Sequence, residues 1–213
     1  MGELMSEAYN SIRLIGNITS APRYDHTVLG EDFFRITVSA ARLSGTEDLL
    51  PVTLSDRLIG ASVTDSVHVG DNIDVNGQIR SYNQRSVTGT HLILTVFPRE
   101  LALIRGSAGI DIPDRNDVEI IGRIVKPVVY RTTPFSREIA DILIVVERRY
   151  GKSDILPCIA WGRNARYASE LSAGDTVLIR GRLQSRQYEK QLDDGSSEKR
   201  TAYEISCSSL EKR

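Results

Sequence analysis

The residues best suited to chemistry in this chain are flat rings set among positive charges. Tyr188 lies in Arg186-Gln187-Tyr188-Glu189-Lys190, and Tyr150 in Arg148-Arg149-Tyr150-Gly151-Lys152. Buried aromatics rarely keep such neighbours, so both rings are expected at the surface. Trp161, the one tryptophan, is followed by Gly162-Arg163, with Arg166 close behind. Residues 123–190 hold 13 Lys+Arg against 7 Asp+Glu, a local excess of +6 by subtraction. A charge run alone marks a solvated face. Cations interleaved with rings suit a ligand of unstacked bases joined by phosphates, since rings stack and cations neutralise. Arginine dominates over lysine, which favours forked contacts to phosphate. Arg180 and Arg182, two apart on one strand, share a face that Gln184 and Arg186 continue, a row expected to line a groove. The competing assignment for Trp161 is the core, because Cys158 and Ala160 share its strand.

Other chemistries find no residues. Cys158 and Cys207 are far apart and form no CxxC, so they read as buried strand thiols. His26, His68 and His91 are isolated, without metal-ligand spacing, so no metal and no cofactor is expected. No phosphate-loop glycine pattern, Ser/His/Asp set or paired-carboxylate site emerges, and the chain is not expected to be an enzyme. No apolar run approaches the ~20 residues of a membrane helix. The first residues have neither a basic nor an apolar region of a signal peptide, so a cytoplasmic location is expected.

These rings and charges must be positioned by a chain that repeats itself. Asn10-Ser-Ile12-Arg-Leu14-Ile-Gly16 returns as Asn116-Asp-Val118-Glu-Ile120-Ile-Gly122. Leu50-Pro51 returns as Leu156-Pro157, and Val69-Gly70-Asp71…Gly77 as Ala173-Gly174-Asp175…Gly181. The offset stays at 104–106 over four landmarks in one order, so the chain is a duplication. Two domains are expected, 1–106 and 107–213, joined where Gly and Pro punctuate Arg105 to Asp114.

Each copy alternates apolar and polar residues over about five segments. Phe34, Ile36 and Val38 are one, and Ile142, Ile144 and Val146 its counterpart. A short helix fits between the third and fourth strands, over Asn164–Leu171 in the second copy, stopped by Ser172-Ala-Gly174. Five strands and one helix in ~100 residues give an all-β chain of two tandem OB-folds, each a five-stranded Greek-key barrel. The strand glycines Gly16, Gly77, Gly122 and Gly181 fit bends where a side chain would meet neighbouring backbone.

Residues 116–210 resemble the single-stranded DNA-binding protein (SSB) family, in its tandem two-OB-domain form. The first matching string is Asn116-x-Val118-x-Ile120-Ile121-Gly122-Arg123-Ile124-x-x-Pro127. The second is Ile159-Ala160-Trp161-Gly162-Arg163-x-Ala165-x-x-Ala168-Ser169-Glu170-Leu171-x-x-Gly174. The third is Val177-x-Ile179-x-Gly181-Arg182-Leu183-Gln184-Ser185-Arg186-x-Tyr188. Residues 10–101 keep only the Gly/Pro/strand skeleton.

The resemblance implies sequence-tolerant binding of single-stranded DNA in replication, recombination or repair. Its stacking positions fall on Tyr150, Ile155, Trp161 and Tyr188, of which Ile155 departs from the pattern. Arg148, Arg149, Lys152, Arg163, Arg166, Arg180, Arg182, Gln184, Arg186 and Lys190 surround them, with Tyr130, Arg131 and Tyr167 as weaker members. In the first copy the equivalents of Tyr150, Trp161 and Tyr188 are Ser44, Ser55 and Gln84, and its charge to residue 106 is −3 (9 Arg, 12 Asp+Glu). That copy is expected mainly to pack, with Arg80, Tyr82 and Arg85 as a substitute contact. The whole-chain charge of −1 thus averages two unlike halves. Many family members carry a long acidic-tipped tail that recruits replication enzymes. The sequence as read has no such segment after Ser208, so a specialised helper, such as a primosome accessory protein, is expected rather than a general recruiter. Two alternatives remain open: a primosome-like protein-interaction module, or a single-stranded RNA binder. Single-barrel members form tetramers, so by analogy two copies per chain imply a homodimer.

Overall fold

The computed structural model describes residues 9–86, 89–105, 112–148, 151–191 and 195–213, without the side chains of 85, 86, 89, 90 and 190. The first half contains β1 (Tyr9–Ile18), β2 (Arg23–Val28), β3 (Glu31–Ala41), β4 (Glu47–Ser55), α1 (Asp56–Ile59), α2 (Val63–Ser66), β5 (Asn72–Ser86) and β6 (Gly89–Ile104). The second repeats the strand order, with one helix where the first has two: β7 (Arg115–Ile124), β8 (Val129–Thr132), β9 (Glu138–Glu147), β10 (Ser153–Trp161), α3 (Arg163–Ser169), β11 (Thr176–Gln191) and β12 (Ser197–Lys212).

In each half five strands close on themselves. β1 pairs with both β3 and β5, and β4 meets β6 in parallel at Val52 and Val96. The second ring closes likewise, with β7 against β9 and β11, and β10 parallel to β12 at Cys158 and Ile205. These are two OB-fold barrels, as the strand pattern predicts. The difference lies in β2 and β8, short strands added to the outer edge of β3 and β9. Their residues are almost all exposed, so they carry no apolar alternation that a sequence could show.

Inward alternation fills each barrel. Ile12, Leu14, Ile36, Val38, Val52, Ile73 and Val96 are buried in the first, and Val118, Ile120, Ile142, Ile144, Leu156, Ile179 and Ile205 in the second. Cys158 and Cys207 join the second core as free thiols. At Gly181 a β-carbon would drive into the Ser206 carbonyl, and at Gly16 into that of Ser39, so backbone closure at the bend excludes any side chain there.

The barrels join through antiparallel pairing of β1 with β7, in which Ile12 lies opposite Val118, its own equivalent at offset 106. A pseudo-two-fold axis therefore passes between those two residues. The asparagines that open the repeated motif clamp each barrel beside this seam. Asn10 donates to the Ile79 carbonyl (2.7 Å) and accepts from the Ile79 amide (2.9 Å). Asn116 does the same with Leu183, at 2.7 and 3.0 Å. The expected join at Arg105 to Asp114 falls largely on 106–111, outside the described residues.

Candidate nucleic-acid interface

The outward face of β8, β9 and β10 presents the second barrel's central ring. Arg131 lies opposite Ile139, which lies opposite Trp161, so the three form a row across the strands on one face. Trp161 ends β10 and is 41% exposed, which removes it from the core. Gly162 follows with φ of 53°, a left-handed turn, and starts α3 at once. That tight turn puts Arg163 and Arg166 on the first helical turns beside the indole's strand. Arg166 pairs with Glu138 at 3.0 Å, and Arg131 with Asp141 at 3.1 Å. Arg163 and Lys152 are exposed.

Tyr130 on β8 is exposed and donates from its hydroxyl to Glu138 (2.6 Å). That hydrogen bond to a carboxylate is the first cause holding its phenol above the ordinary pKa. Tyr188 stands exposed on the β11–β12 hairpin, with the Arg186 guanidinium 5.7 Å from its ring centre. Tyr167 on α3 is also exposed, and its hydroxyl accepts from the Lys212 amide (3.2 Å). Ile155 lies on the same face of β10 as Trp161, as period-two geometry requires.

Four residues expected around these rings sit elsewhere. Arg148 is turned inward: its guanidinium forks onto Asp154 at 2.7 Å by both Nε and Nη2. Arg180 is taken up by Glu119 (2.6 Å) and Glu211 (3.5 Å). Arg182 faces the first barrel, 3.9 Å from Asp48, and burial followed by repulsion from Arg42 lowers its pKa. Gln184, only 7% exposed, donates to Glu204 (2.8 Å). The row from 180 to 188 does share a face, yet its first three members are spent on protein contacts. Arg186, more exposed and 3.9 Å from Glu204, and Tyr188 extend past them. Arg149 and Tyr150 lie outside the described residues, as do the side chains of Lys190 and Arg85.

Arg148 belongs to a paired device that holds the two barrels together. Asp48 and Asp154, both at most 1% exposed, are equivalents at offset 106. Asp154 accepts from Arg148 and from the Ser81 amide of the other barrel (2.6 Å), while Ser81 Oγ accepts from the Ile155 amide (2.7 Å). Asp48 accepts from Arg42 (2.6 and 2.8 Å) and from the Ser185 amide (2.9 Å), and Ser185 Oγ accepts from the Leu49 amide (3.0 Å). Each barrel thus latches the other's long hairpin through one ion pair and one serine. The sequence does carry a signal, an Arg followed six residues later by Asp in both copies at the same offset.

In the first barrel Arg80 lies against Phe97, its guanidinium 4.2 Å from the ring centre, and burial lowers its pKa with repulsion from Arg148 next. Tyr82 is hydrogen-bonded to Arg35, and burial raises its phenol pKa. Among the described residues no cluster of three or more His, Cys, Asp or Glu could hold a metal ion. Nor is any helix among them long and apolar enough to cross a membrane.

Two OB barrels joined edge to edge, one carrying exposed rings beside arginines, define a tandem OB-fold chain. Residues 115–212, the second barrel, match the model of the single-strand binding protein family. Over 83 residues the chain is 35% identical to single-stranded DNA-binding protein 1 of Staphylococcus aureus, covering 36% of this chain and 50% of that one. It is 32% identical over 83 residues to the protein of the same name from Streptococcus pyogenes, covering 36% and 64%. The chain thus spans about half to two thirds of the length of these relatives. The wild-type single-stranded DNA binding protein from Thermus aquaticus superposes with a TM-score of 0.74 at 22% identity, over 98% of this chain and 94% of that one. That likeness extends the shared fold across both barrels.

Proposed function

We propose that the chain binds single-stranded DNA without sequence preference, by stacking bases on the second barrel, and that it catalyses no reaction. The observation that carries this reading is Trp161, an exposed indole on the outer face of β10, followed by a turn that brings Arg163 and Arg166 beside it. A base on an aromatic platform contributes about 1–3 kcal/mol, and arginines beside it neutralise the flanking phosphates. Arg131 and Tyr130 border this platform, and Arg186 with Tyr188 provides a second on the β11–β12 hairpin. The relatives matched by the second barrel are named for the same activity.

The cellular setting follows from the ligand. Exposed single strands arise in replication, recombination and repair, and the reading extends to a cytoplasmic protein, dimeric by analogy with tetramers of single-barrel chains, that contacts replication or primosome proteins. The match of the second barrel to the single-strand binding protein family model supports this setting.

Titration with oligothymidylate, read by the fluorescence of the one tryptophan, tests the reading. Quenching that saturates, weakens steeply with added salt and is poorly competed by duplex DNA is the expected result. Absence of both quenching and a retarded band at low salt would refute it.

A further inference from the structure

The first barrel differs from the second most at the position of the indole. Ser55 is the equivalent of Trp161 at offset 106, and it is buried as the cap of α1, its hydroxyl accepting from the Leu58 amide. Where the second barrel projects a ring, the first has a cleft of about 420 Å³. That volume lies within the ~300–1,000 Å³ range of sites that hold small molecules. Two rings wall it. Phe33, on β3 opposite Ser55, and Phe97, on β6, have centres 5.9 Å apart. Phe33 continues outward into a parallel stack with the His26 ring, 4.8 Å apart and 11° from parallel. On Phe97 lies the Arg80 guanidinium, whose buried Nε has no partner among the described residues.

The rim is basic. Arg57 and Arg99 both line the cleft, and Arg57 is 85% exposed, with Glu31 at 3.7 Å as its counter-ion. A concave site needs a reason to take one occupant. Aromatic walls select a flat apolar ring, and two exposed cations at the mouth select an anionic link on either side of it.

We infer that this cleft is a second nucleobase site, in which the first barrel takes up an unstacked base of a strand held on the second barrel. It rests on the reading of the second barrel given above, and it assigns the first barrel a ligand contact beside its packing role. The site is built from different residues than the first: a pocket walled by Phe33 and Phe97 instead of a projecting indole. The packing latches at Asp48 and Ser81 are contacts to the other barrel, separate from the residues that line this cleft.

The test compares the full chain with two double variants, F33L/F97L and F33Y/F97Y. Leucine keeps the apolar bulk and loses the ring; tyrosine keeps the ring. Far-UV circular dichroism and the urea midpoint confirm folding of each. Each protein is titrated with oligothymidylate of about 8 and about 30 nucleotides, chosen because one OB-fold occupies ~4–16 nucleotides. The short strand should quench Trp161 with equal affinity in all three proteins, which keeps the second-barrel reading independent of this one. The long strand should bind F33L/F97L about 5- to 100-fold more weakly than the native chain, the equivalent of one or two lost stacks. F33Y/F97Y should bind it within about threefold of native, a difference under ~0.7 kcal/mol. Unchanged long-strand affinity in F33L/F97L overturns the proposal and leaves the cleft to a protein partner. Equal losses in the Leu and Tyr variants also overturn it, since a packing defect and not a stack would then be responsible. No quenching by either strand in the native chain overturns both readings together.

Discussion

The two barrels share one backbone plan and diverge at single positions on their outer faces. Trp161 and Ser55 occupy the same place in the ring of strands, one 41% exposed and the other buried under a helix cap. Cys158 and Val52 occupy the same place in the two cores, and both are buried. Inner positions therefore changed within one class of residue, while outer positions changed from a large ring to a hydroxyl. A closed barrel constrains the volume of what points in and leaves what points out to the ligand.

The largest expected effect bears on what the halves keep in common. D48A and D154A each leave an arginine and a serine amide without their shared acceptor, in a place closed to water. Each variant should lose about 3–5 kcal/mol of stability by urea unfolding. Near-equal losses sharpen the pseudo-two-fold equivalence of the latches. A loss confined to one of them breaks it.

Next comes the position where the halves part. W161A should weaken oligothymidylate binding by about 1–3 kcal/mol by filter retention or anisotropy. S55A, which removes only a hydroxyl from the α1 cap and the cleft wall, should cost about 1 kcal/mol of stability and far less affinity than W161A. Equal affinity losses for the two variants would show that the barrels do not divide as described.

Smaller differences separate arginines of one row. R186A should reduce the slope of log affinity against log salt by about one phosphate contact. R180A should leave that slope unchanged, because Glu119 and Glu211 already hold the guanidinium. A smaller slope in R180A would restore the continuous groove that a period-two reading expects.

The smallest effect makes one core resemble the other. C158V installs the residue of the first barrel and should change stability by less than about 1.5 kcal/mol. Burial, then the neighbouring Cys207, holds the Cys158 thiol well above its ordinary pKa. A group whose folded pKa is raised stabilises the fold fully below its unfolded value and loses that contribution as pH rises past it. Native stability should therefore decline above about pH 8.5, the unperturbed thiol value, and C158V should decline less. Identical pH profiles for the two proteins would remove the thiol from that decline.

Periodicity and the repeat offset made the barrels, the helix between Trp161 and Gly174, and the bend glycines legible. Each of these is dictated by local alternation or by backbone crowding. Exposure of Tyr188 was legible too, from its charged neighbours, whereas those of Trp161 leave core and surface open and the resemblance assigns it outward. The destinations of Arg148, Arg180 and Arg182 were not, because a cation in sequence carries no record of the carboxylate folded against it. Asp154 neutralises Arg148 from six residues away, but Asp48 approaches Arg182 from the other barrel. The aromatic cleft was hidden for a similar reason. Phe33 and Phe97 are 64 positions apart and meet only when the ring closes, and Ser55 between them reads as a loss when it is an opening.

The seam at Ile12 and Val118 sets what either half is free to become. In a pair made of two identical chains, every substitution is made twice, on both sides of the axis at once. Here the axis runs between two positions of one chain, so a change on one side leaves the other untouched. A serine can replace a tryptophan in one barrel while the indole survives in its twin. Fusion across that strand pair thus turns a symmetric object into one that can specialise, residue by residue, without first having to escape its own symmetry.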